Sequence, residues 1–324
     1  MVYLCKRKIN GKEYYIIRKS FRVGKRIYTK DLEYLGKEIS SSKAVELIKK
    51  YPEMKNGLER IIQTKNTKQS KKEDKFFSSK QISEIKTILN SYSKLSHANK
   101  KRFEEKIKIN FIVENATIEP FINQEINRGK MRHILAKKNS KEKKTMEALY
   151  ISNYERILKY LRKNKNKFDI KIMLQIYGLL NEKHSWEKGL RKQKIDVPGK
   201  PFKTSKPENL RNDLKRLFLW YNSNENKIEP LALAILFHHK FEKIHPFMNF
   251  NGEMGRIILN YILSIKKYPP IIIPLAKKGE FYHAMDKAYP CLKKDLLSTD
   301  MRYYDELINF MYKQFVKTYW ENFS

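Results

Sequence analysis

The sequence predicts a mainly α-helical protein with a small antiparallel β segment at its front, on three observations. From Ser40 onward, apolar residues recur at three- and four-residue spacings, the pattern of helices that bury one face. Before that, Tyr14, Tyr15, Ile16 and Ile17 follow the turn pair Asn10-Gly11, and a second β-rich run, Arg26 to Tyr28, follows Gly24. Between Trp186 and Ser205, WEKGLRKQKIDVPGKPFKTS is too rich in glycine and proline for a helix, a long loop of the kind that often carries function.

The β segment is assigned to residues 1–38. A helical region, 39–130, carries Val45, Leu47 and Ile48, then Leu58, Ile61 and Ile62. The lysine-dense TKNTKQSKKEDKFFSSK interrupts it as a linker, and a boundary is expected near there. Ile82, Ile85, Ile88 and Leu89 mark the next helix, and Phe103, Ile107 and Phe111 lead into ENATIEPF. The remaining domain, 131–324, opens with helices through Leu149, Ile157 and Leu161 and through Ile172, Ile176 and Leu180. Ser205-Lys206-Pro207-Glu208 has the capping-box pattern for a helix carrying Leu210, Leu214 and Leu217. Another helix starts near Pro230 and is limited by Pro246; the next carries Met254, Ile257, Ile258, Tyr261 and Ile262. A terminal helix follows through Leu307, Met311 and Phe315. Lys194, Ile195, Asp196 and Val197 are expected to form one strand of a hairpin flap over the site.

A chain of 324 residues with 41% hydrophobic content can fill a sizeable core. Its 69 Lys and Arg against 35 Asp and Glu give a formal charge of +34, which suits a polyanionic partner or equally a lineage rich in lysine. The excess is spread along the chain. In the β segment, however, cations interleave with aromatics, an arrangement suited to nucleic acid. Two cysteines exclude a disulfide framework and a thiolate metal site. No signal-like or membrane-spanning run is present, so a cytoplasmic protein with no membrane association is expected.

The stretch HPFMNFNGEMGR, His245 to Arg256, carries the chemistry. A helix ending at His245, a tight turn and a new helix place an imidazole beside a helix N-terminus, whose free N–H groups and positive dipole end suit phosphate. Gly252 permits close backbone approach and Asn251 offers an amide. His245 then stands as a general base next to bound phosphate.

This stretch resembles the Fic (Fido) domain signature H-P-F-x-[D/E]-G-N-G-R-x-x-R. His245, Pro246, Phe247, Asn251, Gly252 and Arg256 match; Asn249 replaces the acid, Phe250 the first glycine and Glu253 the first arginine. Gly189-Leu190-Arg191, the helix from His238 to His245, and Gly255-Arg256 before an apolar helix extend the resemblance over roughly residues 141 to 287. It implies a Fic helical fold with a β-hairpin flap, transferring AMP from ATP to a Ser, Thr or Tyr hydroxyl of a target protein with Mg²⁺ or Mn²⁺. His245 is then the base; Asn251, Gly252 and Gly255 lie at the nucleotide, and Arg256 grips its terminal phosphate. Asn249 and Glu253 stand at the metal and outer-phosphate positions, where Asn249 is a weaker ligand than a carboxylate and Glu253 repels phosphate; Glu253, one turn after Asn249, is also a candidate ligand for the same metal, or a partner for Arg256 at i,i+3. ENATIEPF resembles the family's inhibitory helix, with Glu119 as the glutamate that pairs with Arg256, Asn115 in place of the hydroxyl residue and Pro120 in place of Gly or Asn.

Two rivals use the same residues. His238, Glu242 and His245 share one helical face as metal ligands would, although their spacing is not that of zinc proteases. The altered motif also fits a Fic fold without turnover that binds nucleotide or a partner. Target and oligomeric state, a homodimer included, are left open.

Overall fold

The computed structural model describes residues 2–9, 12–23, 26–36, 39, 41–54, 58, 76–118, 127–137, 145–164, 168–182, 187–197, 199 and 202–323. The chain divides into two compact units, 1–73 and 74–324.

The first unit is a three-stranded antiparallel sheet, β1 (Val2–Ile9), β2 (Lys12–Val23) and β3 (Arg26–Gly36), in that order, followed by helix α1 (Ser41–Lys50). Leu4 pairs with Ile17 across β1 and β2, and Ile17 with Glu33 across β2 and β3. Strand alternation puts Tyr15 and Ile17 on one face. That face and α1 share a core of Ile17, Ile39, Leu47, Met54 and Leu58, edged by Val2, Leu4, Leu35 and Ile48. Lys50 and Lys43 approach Glu33 at 3.2 and 3.3 Å, tying α1 to the sheet. The helix after residue 38 therefore packs with the β segment.

The second unit is helical: α2 (Ser79–Ser93), α3 (His97–Ile118), α4 (Arg128–Lys137), α5 (Met146–Lys163), α6 (Ile170–Leu180), α7 (Leu210–Asn224), α8 (Pro230–Ile244), α9 (Asn251–Ile265), α10 (Lys278–Lys294) and α11 (Met301–Phe323). Helix α8 is buried nearly all round, as a central helix must be, and α9 runs back against it. Two of its buried polar side chains, His239 and Lys240, have partners inside the core. His239 meets the Tyr304 hydroxyl at 3.0 Å and the Met285 carbonyl at 3.2 Å. Lys240 Nζ donates to the Ser298 carbonyl at 2.5 Å and lies 4.9 Å from the Trp220 ring. These contacts fix α8, and with it the end at which His245 stands.

Two local expectations are corrected. Pro207 opens a 3₁₀ turn, 207–209, ahead of α7, and Ser205 Oγ donates to Asp213 at 2.6 Å, so the capping box is not formed. Residues 194–197 carry no strand; among the described residues of this loop, side-chain bonds to Arg191 and Thr204 organise the backbone where a ladder was expected.

Candidate active site

Helix α8 stops because His245 adopts a left-handed conformation, φ 53° and ψ 60°, while its N–H still donates to the Phe241 carbonyl at 2.9 Å. Phe250, at φ 64°, repeats that geometry at the N-cap of α9, where glycine would be at ease and an aromatic residue is strained. Packing holds both. Phe250 is buried, and Phe247 stacks on Tyr177 at 3.9 Å between centroids, inserted into the core like a peg.

Asn251 closes the turn. Its Oδ1 accepts from the Phe247 N–H at 3.0 Å and its Nδ2 donates to the Phe247 carbonyl at 2.8 Å, so both ends of the amide organise the loop. With the Met254 N–H bonded to the Phe250 carbonyl at 2.8 Å, the first turn of α9 begins at Asn251 and Gly252. The imidazole-bearing residue and the helix N-terminus are thus joined by a single tight turn, the arrangement suited to a base beside an anion.

Arg191 fastens the turn from outside. It is only 2% exposed, and burial lowers its pKa. Its Nε donates to the His245 carbonyl at 2.7 Å and Nη1 to the Gln193 carbonyl at 2.7 Å. Its Nη2 reaches Thr204, Ser205 and the Ile244 carbonyl, while its own N–H donates to the Pro246 carbonyl at 3.0 Å. Thr204 in turn donates to the Ile195 carbonyl at 2.5 Å. The expected flap, Lys194 to Val197, is therefore tied to the loop bearing His245 through one guanidinium.

On the inner side of α9 the replaced positions have partners. Glu253 is 3% exposed and its Oε1 accepts from the Tyr150 hydroxyl at 3.1 Å. Burial, then the charge of Glu253, raises the Tyr150 pKa well above its usual value, keeping the donor protonated. A first-turn carboxylate also gains from the positive end of the helix. Arg256, 4% exposed, donates through Nε to Asn115 Oδ1 and through Nη2 to the Asn115 carbonyl at 3.2 Å. The Asn115 amide donates to the Tyr154 hydroxyl at 2.5 Å and the Glu253 carbonyl at 3.4 Å. Asn115, Tyr150 and Tyr154 thus bind the motif helix to α3 and α5. Tyr150 and Tyr154 were missed in the sequence because nothing local distinguishes them from core tyrosines; Asn115 was marked only by its place in ENATIEPF.

The other expected residues are also placed. Asn249 is partly exposed in the turn. Gly255 faces helix α8: a Cβ there would meet Glu242 Oε1 at 2.6 Å and His238 at 2.9 Å, so close helix packing excludes a side chain. Glu119 lies outside the described residues. His238 Nε2 and His245 Nδ1 stand 3.8 and 3.9 Å from Glu242, but among the described residues no group of three His, Cys, Asp or Glu could hold a metal ion. The metal reading of that face is therefore withdrawn.

Comparison with known proteins converges on this region. Residues 167–263 match the model of the Fic/DOC family. The protein adenylyltransferase Fic of Drosophila grimshawi is 37% identical over 76 residues, 23% of this chain and 16% of that protein, and its Drosophila melanogaster counterpart is 36% identical over the same length. The match thus spans under a fifth of those relatives. Among solved structures, a Fic-domain signaling protein from Bacteroides thetaiotaomicron superposes with a TM-score of 0.66 at 17% identity, covering 75% of this chain and 96% of that one. Fic-1 from C. elegans gives a TM-score of 0.58 at 19% identity, covering 75% and 70%. The turn bearing His245 and the helix N-terminus that faces it lie within the stretch 167–263, which is the Fic/DOC-family domain of this chain, and the superposed Fic structures share its fold.

Proposed function

We propose that the protein transfers AMP from ATP to a Ser, Thr or Tyr hydroxyl of a target protein. The observation that supports this most is the union of His245 with the N-terminus of α9 in one turn locked by Asn251 and Arg191. The Nδ1 edge of His245 faces Glu242, so Nε2 is the proposed proton acceptor. As His245 takes the proton, the hydroxyl oxygen bonds to the α-phosphorus, and the bond from that phosphorus to the bridging oxygen breaks. Pyrophosphate leaves with the electron pair. The first amides of α9, at Asn251 and Gly252, hold the charge that gathers on the α-phosphate.

Among the described residues, none of the groups at this loop makes a divalent-cation site of its own. Asn249 supplies only a neutral oxygen, and the buried Glu253 carboxylate is engaged by Tyr150. Mg²⁺ or Mn²⁺ is accordingly proposed to arrive with the phosphates of ATP, and no step is assigned to it. Arg256, enclosed by Asn115, supports a state held back from gripping an outer phosphate. Glu119 is proposed, on the family resemblance, to reinforce that restraint.

Mass spectrometry of intact protein incubated with ATP and Mg²⁺ or Mn²⁺ tests this reading. Glu119→Gly is expected to gain one AMP more readily than the unmodified sequence, and Glu119→Gly with His245→Ala to gain none. Gain independent of His245 removes it as the base, and equal rates with and without Glu119 remove the restraint. The bonded state of Glu253 and Arg256 favours a second reading, a nucleotide-binding protein without turnover. It predicts ATP binding with no mass gain in any variant.

A further inference from the structure

We infer that the β2–β3 hairpin of the first unit binds single-stranded nucleic acid, a role independent of the proposed AMP transfer. Residues 2–36 carry ten basic and three acidic residues, and from Tyr14 to Lys30 there are six cations and no acid at all. Polyanion attraction is therefore concentrated on one ribbon instead of being averaged over the chain.

The same ribbon exposes rings that its core does not use. Phe21 and Tyr28 are register partners, each 46% exposed, and their rings lie nearly parallel, 20° apart, with centroids at 6.1 Å. Tyr34 is 57% exposed and pairs with Tyr14 at 5.6 Å. Ile27, at 71%, adds apolar surface beside its register partner Arg22. Phe21 and Tyr28 lie on the same face as Ile17 but beyond the part that is buried, where an antiparallel sheet usually carries polar residues. On the face that carries Phe21 and Tyr28, the next register pair is Lys19 with Lys30, so stacked rings adjoin cations, the combination that stacks unpaired bases while cations follow the phosphates. In a duplex the base faces are covered, and half-exposed rings such as that of Phe21, which cannot hydrogen-bond to base edges, would have little to contact. Unstacked strands are the partner this surface fits.

The test is fluorescence anisotropy of the full chain with labelled single-stranded DNA and RNA of about 20 nucleotides and with the matching duplex, over a salt series. Single strands are expected to bind more tightly than duplex. Phe21→Ala with Tyr28→Ala is expected to weaken single-strand binding by about tenfold or more, and Tyr28→Phe to retain it. Lys19→Gln should reduce the salt slope by about one contact. Lys313→Gln with Lys317→Gln, on α11 of the second unit, is expected to leave binding unchanged and serves as the control for diffuse charge. Tighter duplex binding, unchanged affinity in the double alanine variant, or an equal loss in the α11 control would each overturn the inference. Circular dichroism of the alanine variant separates loss of a contact from loss of the sheet.

Discussion

Glu253 is the residue whose placement changes the chemistry expected of the loop. An acid in the position of a phosphate-binding arginine reads as a defect, yet it is buried and hydrogen-bonded to a tyrosine that burial keeps protonated. Tyr150→Phe removes that donor and leaves a buried carboxylate oxygen short of a partner, a loss of about 1–3 kcal/mol. The expected result is a lower melting temperature; an unchanged melt would mean that Glu253 has no need of Tyr150. Gly255 tells the opposite story, since its role is space. Gly255→Ala forces a methyl against Glu242 and His238, at a cost of about 1–3 kcal/mol from overpacking. Because His238 and Glu242 belong to the helix that ends at His245, separation of α8 from α9 should appear as loss of the proposed AMP transfer before loss of fold. His245, Asn251 and Arg256 were legible in the sequence because the motif lies within twelve consecutive residues. The partners of Glu253 and Arg256 were not, because Tyr150 and Asn115 are 103 and 141 residues away and the contacts exist only after the helices pack.

At the scale of elements, periodicity predicted what burial decides and missed what side-chain bonds decide. The stripe of Ile257, Ile258, Tyr261 and Ile262 predicted α9, and the apolar run after Pro230 predicted α8, because both must bury those residues. The loop before α7 escaped that logic. Ser205 looked like a cap until Asp213 offered it a stronger acceptor, and residues 194–197 looked like a strand until Arg191 and Thr204 drew off their neighbours' carbonyls. The loop and the turn bearing His245 are therefore fastened to each other by one guanidinium. Arg191→Lys keeps the charge and loses the planar fork, so several carbonyls lose their donor together. The expected outcome is a fall in the proposed AMP transfer of about tenfold or more from misplacement of His245, with affinity for the proposed substrate ATP much less affected. Equal loss of affinity and rate would point instead to a direct role of Arg191 in holding nucleotide.

Across the whole molecule, two separate cores share one chain. Among the described residues the small core has five buried apolar side chains under a three-stranded sheet and one helix, and a unit of about 70 residues lies in the size range where stability is marginal. The second unit has a core running through all its helices, so the expectation is two calorimetric transitions, the first belonging to residues 1–73. Leu47→Ala removes a fully buried side chain from the small core, typically a loss of about 2–5 kcal/mol, enough to abolish the first transition while leaving the second in place. Acid should act on the same unit with a definite sign. The hydrogen bond from Lys50, helped by Lys43, holds the Glu33 carboxyl below its usual range, as Arg18 does for Asp31. Each group stabilises the folded unit above its unfolded pKa and ceases to as pH falls through the depressed value, so the first transition should drop in temperature as pH is lowered through the carboxylate range. Glu33→Gln should flatten that dependence. A single transition shifted as a whole by Leu47→Ala would show that the two cores fold as one cooperative body, and the nucleic-acid surface could then not be loosened without loosening the site at His245.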